Sequence, residues 1–461
     1  MTEQKHTSQR SRHAIVTVTG LALFAMYFGA GNLIFPVMIG VNAGSNTPLA
    51  VAGFLITGVL LPVLGMVAVA SRSHEPGMLA DNIGKLPGLL FTVVIFLSTG
   101  MLYAIPRVAT VGYEMAVKPA LSASVEEGSA AVRLGLPIFT VVFFALVYAL
   151  TINPRQLLNR IGLWLSPALI VLLLLLIGAM FMNFHDTVVT PSPEYASNPL
   201  ETGLIQGYFT MDAIASLVFG IVIIDSLRRA GMRSKKSLAS GTIGAGIVAG
   251  ATLAIIYIGL SVIGLWIAPQ GPTNGAQALA MTTEAFFGRA GQLIFGLIAL
   301  LACLTTAVGL VGASSQYFRT LFTSISHRTV VIVHVVVALL LANMGLEFIL
   351  RIVAPINQLI YPIVVAIIAV ALINMTIPGK LYWSYRLTAW VAAFVGVFEA
   401  ARSIGLDIFA PLEFYLNTLP LGVVNLPWVT PALAALVVGL VIDFLQGRFR
   451  AISSENLAVD E

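Results

Sequence analysis

The chain has 461 residues, of which 58% are hydrophobic and only 10% charged, with a net charge of +4 and a mean hydropathy of +0.96. That is too little charge to coat a water-soluble globule of this size, which excludes a soluble enzyme or nucleic-acid-binding domain in spite of a pI near 9.2. Many apolar runs of about 20 residues, each able at about 1.5 Å per residue to cross a core of roughly 30 Å, predict instead a polytopic helical membrane protein. The short alternating segments of a β-barrel are absent.

Residues 1–13 form a polar, basic tail. The apolar stretch after it is too long for a signal-peptide core and ends in no small-residue cleavage site, so the first span is expected to be retained. Twelve spans are predicted, at 14–41, 47–70, 89–115, 134–152, 160–182, 202–226, 238–268, 290–322, 329–345, 347–373, 384–403 and 428–446. An even count puts both termini on one side. If that side is cytoplasmic, most basic residues fall inside, including Arg72, Arg155, Arg160, Arg228, Arg229, Arg233, Lys235 and Lys236. That asymmetry of basic residues is the positive-inside pattern, and the outer segments carry instead Glu126, Glu127, Asp186, Glu194, Glu201, Glu284, Asp407 and Glu413. The polar connections 117–133, 183–201 and 269–289 are too short to bury a core of their own. Residues 14–446 therefore read as one transmembrane domain, followed by a cytoplasmic tail at 447–461. The 269–289 connection has enough apolar residues for a short helix over the outer face. A single cysteine, Cys303, excludes an intramolecular disulfide.

Within span 1, "YFGAGNLIFP" places Gly29, Ala30, Gly31 and Asn32 halfway along an apolar run. Gly costs a helix interior roughly 1 kcal/mol against Ala, and Asn competes for backbone hydrogen bonds, so a break is expected here, with close packing through small residues as the alternative. Span 6 repeats the pattern in "QGYFTMDAIASLVFG", with Asp212 in its interior. The two spans are five apart, an odd interval, so a second five-span unit would enter the membrane from the opposite face. Paired interruptions in inverted halves point to a secondary transporter's binding site. A half-helix starting near Asn32 would offer unpaired amides to a carboxylate, and one ending near Phe28 would offer carbonyls to Na⁺ or an ammonium group.

Asp212 is expensive at a span centre, so it is either a site residue with a partner or half of a gating or structural ion pair with Arg107 in span 3. In span 8, Ala302, Thr305 and Thr306 fall at i, i+3 and i+4 on one helix face. Their oxygens could complete a cage for a hard cation, although Thr in a helix commonly bonds back to its own backbone. A membrane-embedded hydrolase would need an HExxH or a clustered Ser, His and Asp set, and the spans offer only His334 without paired carboxylates.

The stretches "LFAMYFGAGNLIFP", "YAIPRVATVGYE", "GYFTMDAIASLVFGIVI", "CLTTAVGL" and "APINQLIYP" resemble the branched-chain amino acid:cation symporters, the LIV-II (BrnQ) carriers of bacteria. The resemblance runs from span 1 to span 12. It implies uptake of leucine, isoleucine and valine across the bacterial cytoplasmic membrane with Na⁺, Li⁺ or H⁺ being the other candidate coupling ions, no organic cofactor and no obligate protein partner. It also implies a LeuT-like all-α fold with repeats at about 14–182 and 202–373 and extra helices at about 384–446. Carried over by position, the carbonyls of Ala25, Phe28 and Ala302 and the hydroxyls of Thr305 and Thr306 resemble a cation site. Asn32 and Thr210 resemble a second, weaker one. Gly29, Ala30 and Gly31 would meet the substrate carboxylate, with Phe209 and Asp212 near the amine and side chain and Tyr103 and Phe219 as further candidates for the apolar wall. Span 7 departs from the pattern: it offers no Asn to the second site, only Ser240, Thr242, Thr252 and Ser261. A proton-coupled porter or an amino-acid exchanger of the same fold is the nearest alternative, and an ion channel the alternative of a different class.

Overall fold

The computed structural model of the protein describes residues 2–71, 78–118, 130–153, 161–182, 189–406, 415–416, 418–419, 421–422 and 426–450. Arg72, Arg155, Arg160, Glu126, Glu127, Asp186, Asp407, Glu413 and the tail from 451 lie outside the described residues.

Among the described residues every regular element is helical. In chain order the α-helices, leaving aside short 3-10 and π turns, are α1 (Thr2–Tyr27), α2 (Ala30–Ala43), α3 (Thr47–Leu55), α4 (Leu61–Ser71), α5 (Lys85–Leu97), α6 (Ala104–Ala116), α7 (Ala130–Thr151) and α8 (Ser166–Met182). There follow α9 (Pro193–Ser197), α10 (Pro199–Tyr208), α11 (Asp212–Arg229), α12 (Lys235–Ile267), α13 (Gly275–Phe287), α14 (Arg289–Leu321), α15 (His327–Ala342), α16 (Leu346–Met375), α17 (Trp383–Ser403) and α18 (Val429–Leu445).

Among the described residues eight helical stretches are long and apolar enough to cross a membrane, and the shorter apolar helices Arg12–Tyr27, His327–Ala342 and Val429–Leu445 accompany them. The count differs from the twelve spans read in the sequence for identifiable reasons. Gly31–Ser71, at 41 residues, joins the second part of span 1 to span 2. Spans 9 and 12 correspond to helices of only 16 and 17 residues. Span 11 corresponds to α17, which carries Arg386, Glu399 and Arg402.

The chain forms two compact units. The first comprises Met1–Met66 and Phe96–Leu350. In it α2 crosses α12 and α3 crosses α10 at backbone contact. A Cβ on Gly40 would stand 1.9 Å from the Ser261 carbonyl oxygen, and one on Gly264 would stand 2.0 Å from that of Val37. Gly53 and Gly203 do the same for α3 and α10, at 2.0 Å from Leu200 O and 1.9 Å from Ala50 O. Lipid supplies no hydrophobic drive between helices, so close backbone approach through small residues is what holds such pairs together.

The second unit comprises Val67–Ile95 and Arg351–Glu461, and in it α17 packs along α18. Asp443, fully buried near the end of α18, accepts from the amides of Tyr382 (3.1 Å), Trp383 (3.0 Å) and Ser384 (2.9 Å) and from the Ser384 hydroxyl (2.7 Å). A helix start leaves its first amides without partners, and here one carboxylate from the neighbouring helix satisfies three of them.

Candidate functional site

The chain between α1 and α2 leaves the helical path, with a close contact at Gly29, where a Cβ would stand 3.2 Å from Thr306 Oγ1, and ordinary spacing at Gly31. A Cβ on Gly31 would meet nothing closer than 3.4 Å, and Gly29 is extended at φ −98° and ψ −170°. The Gly29 amide turns back to the Tyr27 carbonyl at 2.8 Å and to Asn32 Oδ1 at 3.3 Å. As a result the carbonyls of Ala25 and Phe28, which a continuous helix would engage, have no backbone donor among the described residues. The amides of Gly31 and Asn32 likewise have no backbone acceptor. Uncommitted acceptors thus end α1 and uncommitted donors begin α2, a few residues apart.

A second interruption separates α10 from α11. Met211 adopts left-handed backbone at φ 62°, a region costly for a residue with a Cβ. The turn leaves the amides of Asp212 and Ala213 without backbone acceptors among the described residues. The Thr210 hydroxyl donates to the Gly207 carbonyl at 2.8 Å.

Asn32 joins the two interruptions. Its Nδ2 donates to Asp212 Oδ2 at 2.6 Å and makes a second, short hydrogen bond to the Tyr257 hydroxyl of α12. Tyr257 in turn reaches Asp212 Oδ2 at 3.4 Å. All three side chains are buried. The Tyr257 ring is held by Phe54, edge-on at 5.1 Å, and by Phe28, stacked at 6.1 Å. No Lys, Arg or His among the described residues pairs with Asp212, so the protein supplies this buried carboxylate with neutral donors and no counter-charge. Such a group calls for a cation or a proton from outside the chain.

The expected pair of Asp212 with Arg107 is therefore not formed in this structure. Arg107 Nη1 donates to the Tyr103 hydroxyl at 3.0 Å, and its Nη2 lies 3.7 Å from where a Cβ on Gly31 would stand. A distortion between α5 and α6 aims these two side chains. Residues Ser98–Leu102 form a π turn, with Gly100 at ψ −130° and Tyr103 at φ −140°. Pro106, lacking an amide proton, helps to end the regular ladder there. A Cβ on Gly100 would come within 2.8 Å of Ser314 Oγ, which itself contacts His334 Nε2 at 2.8 Å.

On α14 the two threonines part company. The Thr305 hydroxyl is used within its own helix, donating to Leu301 O at 2.9 Å and Ala302 O at 3.0 Å. Thr306 Oγ1 is buried without a hydrogen-bond partner, 3.2 Å from where a Cβ on Gly29 would stand. The Tyr27 hydroxyl, at the end of α1, is buried and unpartnered too.

Gly29, Gly31, Asn32, Asp212, Thr306, Tyr103 and Arg107 thus converge on residues 29–32 or their direct neighbours. Ala30 lies on the same backbone. Phe209 is 45% exposed and packs edge-on against Tyr208, whereas Phe219 is buried against Tyr27 at 5.4 Å. Tyr257 and the turn at Gly100 were missed in the sequence: the tyrosine sits in "AIIYIGL" with nothing to distinguish it from a core aromatic.

A family model described as branched-chain amino acid transport protein matches residues 12–446. The branched-chain amino acid permease BraB of Bacillus subtilis is 35% identical over 446 residues, covering 95% of this chain and 97% of the relative. BrnQ of Corynebacterium glutamicum is 36% identical, with 96% and 99% covered, and the branched-chain amino acid transport system 2 carrier of Pseudomonas aeruginosa is 36% identical, with 94% and 96% covered. Among solved structures, Mhp1, a nucleobase-cation-symport-1 family transporter in a closed conformation with bromovinylhydantoin bound, aligns with a TM-score of 0.57 at 14% identity, covering 95% of this chain and 94% of that one. At that identity the likeness speaks for the fold, which is a transporter fold, and a carrier rather than an enzyme is what the named relatives are. The chain belongs to the branched-chain amino acid transport protein family.

Proposed function

We propose that this carrier imports leucine, isoleucine and valine across a bacterial cytoplasmic membrane by symport with Na⁺, through twelve spans in a five-plus-five inverted repeat followed by two extra ones. Both termini are cytoplasmic in this reading, on the strength of the basic residues that the twelve-span alternation gathers on one side. The interruptions at residues 28–29 and 209–211 lie at the membrane midplane within spans 1 and 6. The observation that carries the reading is the hydrogen bond from Asn32 to the buried, uncompensated Asp212, which brings two helix interruptions with uncommitted backbone groups into one place.

The substrate ammonium goes to Asp212 and its carboxylate to the amides that begin α2. Na⁺ takes the carbonyls of Ala25 and Phe28 and the Thr306 hydroxyl, a set of uncharged oxygens of the kind hard cations prefer. No organic cofactor enters. A second reading, proton coupling, draws on Asp212 as well, because a buried carboxylate without a protein cation can be neutralised by a proton instead.

Purified carrier in proteoliposomes, given labelled leucine under imposed Na⁺, Li⁺ or H⁺ gradients, separates the readings. Accumulation above the outside concentration driven by inward Na⁺ is expected. Accumulation with H⁺ alone would transfer the coupling to the proton. Uptake only against preloaded amino acid would make it an exchanger, and non-saturating flux without accumulation would make it a channel.

A further inference from the structure

We propose that Arg107 is the receptor for the substrate's α-carboxylate, so that the guanidinium of α6 and the carboxylate of Asp212 bracket the start of α2 and select a zwitterion. The assignment rests on the substrate class proposed above and adds to it a residue that sets specificity.

Three observations place the guanidinium there. Its Nη2 lies 3.7 Å from where a Cβ on Gly31 would begin, beside the backbone whose Gly31 and Asn32 amides have no acceptor. Its Nη1 is tied to the Tyr103 hydroxyl at 3.0 Å, which fixes the plane of the fork, and no carboxylate among the described residues pairs with it. Two residues earlier on the same backbone, Thr306 Oγ1 is buried, without a partner, and stands 3.2 Å from where a Cβ on Gly29 would be. An independent polar group therefore also points at this break.

A planar carboxylate bound here would place one oxygen on the amides of α2 and the other on the guanidinium. Arginine binds carboxylates through such parallel bonds, and a lysine in its place would contribute only a point charge. Asn32 and Tyr257 supply Asp212 Oδ2 with neutral donors, and no ion pair joins Asp212 to Arg107 among the described residues, so each charge is left to one end of the ligand. Gly31 keeps the passage clear, since a side chain there would grow toward Phe35 at 3.4 Å and the guanidinium at 3.7 Å.

The competing role is an anchor for α6, with the guanidinium serving only Tyr103. The two roles differ in what leucinamide does, because it keeps the ammonium and the aliphatic tail but carries a neutral amide for the carboxylate. Competition against labelled leucine binding is measured in proteoliposomes for wild type, Arg107→Gln and Arg107→Lys. Wild type should prefer leucine over leucinamide by at least about 30-fold. Arg107→Gln should lose leucine affinity while leaving that of leucinamide within about threefold, with Arg107→Lys in between. Equal losses for both ligands would make Arg107 an anchor and overturn the assignment. Should the variants fail to fold, the wild-type carrier decides alone. Phenylglyoxal modification of Arg107, followed by peptide mass spectrometry, should be blocked by leucine and not by leucinamide, and equal protection by the two overturns the proposal. Wild-type carrier that neither binds nor transports leucine overturns the reading of the substrate, whereas leucine uptake with an unchanged leucine-to-leucinamide ratio in Arg107→Gln overturns the Arg107 assignment alone.

Discussion

Asn32 Nδ2 donates to Asp212 Oδ2 across 2.6 Å, and the bond ties the first turn of α2 to the first residue of α11. Each residue stands where a helix restarts after an interruption, so one buried hydrogen bond fixes the distance between two sets of uncommitted amides. Among the described residues the carboxylate that accepts it has only neutral donors around it, and the Arg107 guanidinium donates to Tyr103.

Asp212→Asn should therefore lower leucine uptake about 10- to 100-fold, the weight of a charge-assisted contact to the substrate ammonium, while surface expression is preserved. Adding Arg107→Gln should not restore it, because no ion pair between the two residues exists to be relieved. Recovery in the double variant, measured as labelled leucine uptake at matched expression, would show that the two charges do pair in some state of the carrier.

The cation hypothesis divides the adjacent threonines. Thr306 presents an unused hydroxyl to the Gly29 break, and Thr305 spends its hydroxyl on its own helix. Thr306→Val, close to isosteric, should raise the Na⁺ concentration for half-maximal uptake by about tenfold, as the loss of one cation ligand of about 1.4 kcal/mol would do. Thr305→Val should shift it by less than about twofold, within the range of a single solvated helix hydroxyl. The reverse order in a Na⁺ titration of uptake would move the cation to the other face of α14.

How far the sequence spoke to this site depends on what each residue costs where it stands. Weak helix formers in an apolar run, and a carboxylate at the middle of a span, carry penalties of a kind that draw attention without any coordinates, which is why Gly29–Asn32 and Asp212 were legible. Thr305 and Thr306 were not separable, because neighbouring helix positions differ by about 100° in direction and the sequence does not say where the next helix lies. Tyr257 and Phe54 both read as ordinary core aromatics, and only the tertiary packing gives the tyrosine hydroxyl a carboxylate and an amide to meet. Apolar runs alone give the short α15 and the charge-bearing α17 the same weight as the long α14, which is where the twelve expected spans and the eight long apolar helices among the described residues part.

Tyr257 offers a test of the hydrogen-bonded cluster that leaves the packing alone. Tyr257→Phe keeps the ring against Phe54 and Phe28 and removes one oxygen from a buried group of three. One donor of Asn32 is then left unpaired, and Asp212 loses a donor, a penalty of about 1 to 3 kcal/mol. Expression should be close to that of wild type, because the aromatic contacts survive, while leucine affinity in a binding assay should fall by about tenfold or more. An unchanged affinity would mean that the hydroxyl serves neither partner during substrate binding.

The cluster also depends on how closely α12 approaches α2, and two glycines make that dependence measurable. Gly264 meets Val37 at backbone distance: an added Cβ would stand 2.0 Å from the Val37 carbonyl oxygen and cannot be accommodated by turning a side chain. Gly264→Ala must part the two helices and with them Tyr257 from Asn32, so it should lower the thermal midpoint of the purified carrier and cut leucine uptake together. Gly178 in α8 is the matched control, since a Cβ there meets nothing within 4 Å. At that position alanine gains helix propensity without a clash, and Gly178→Ala should leave uptake unchanged and raise stability by up to about 1 kcal/mol. Both variants make the same chemical change in a helix interior, so their difference isolates the backbone contact. If Gly264→Ala kept the wild-type midpoint and uptake, the α2–α12 crossing would not be what positions Tyr257 against Asn32 and Asp212.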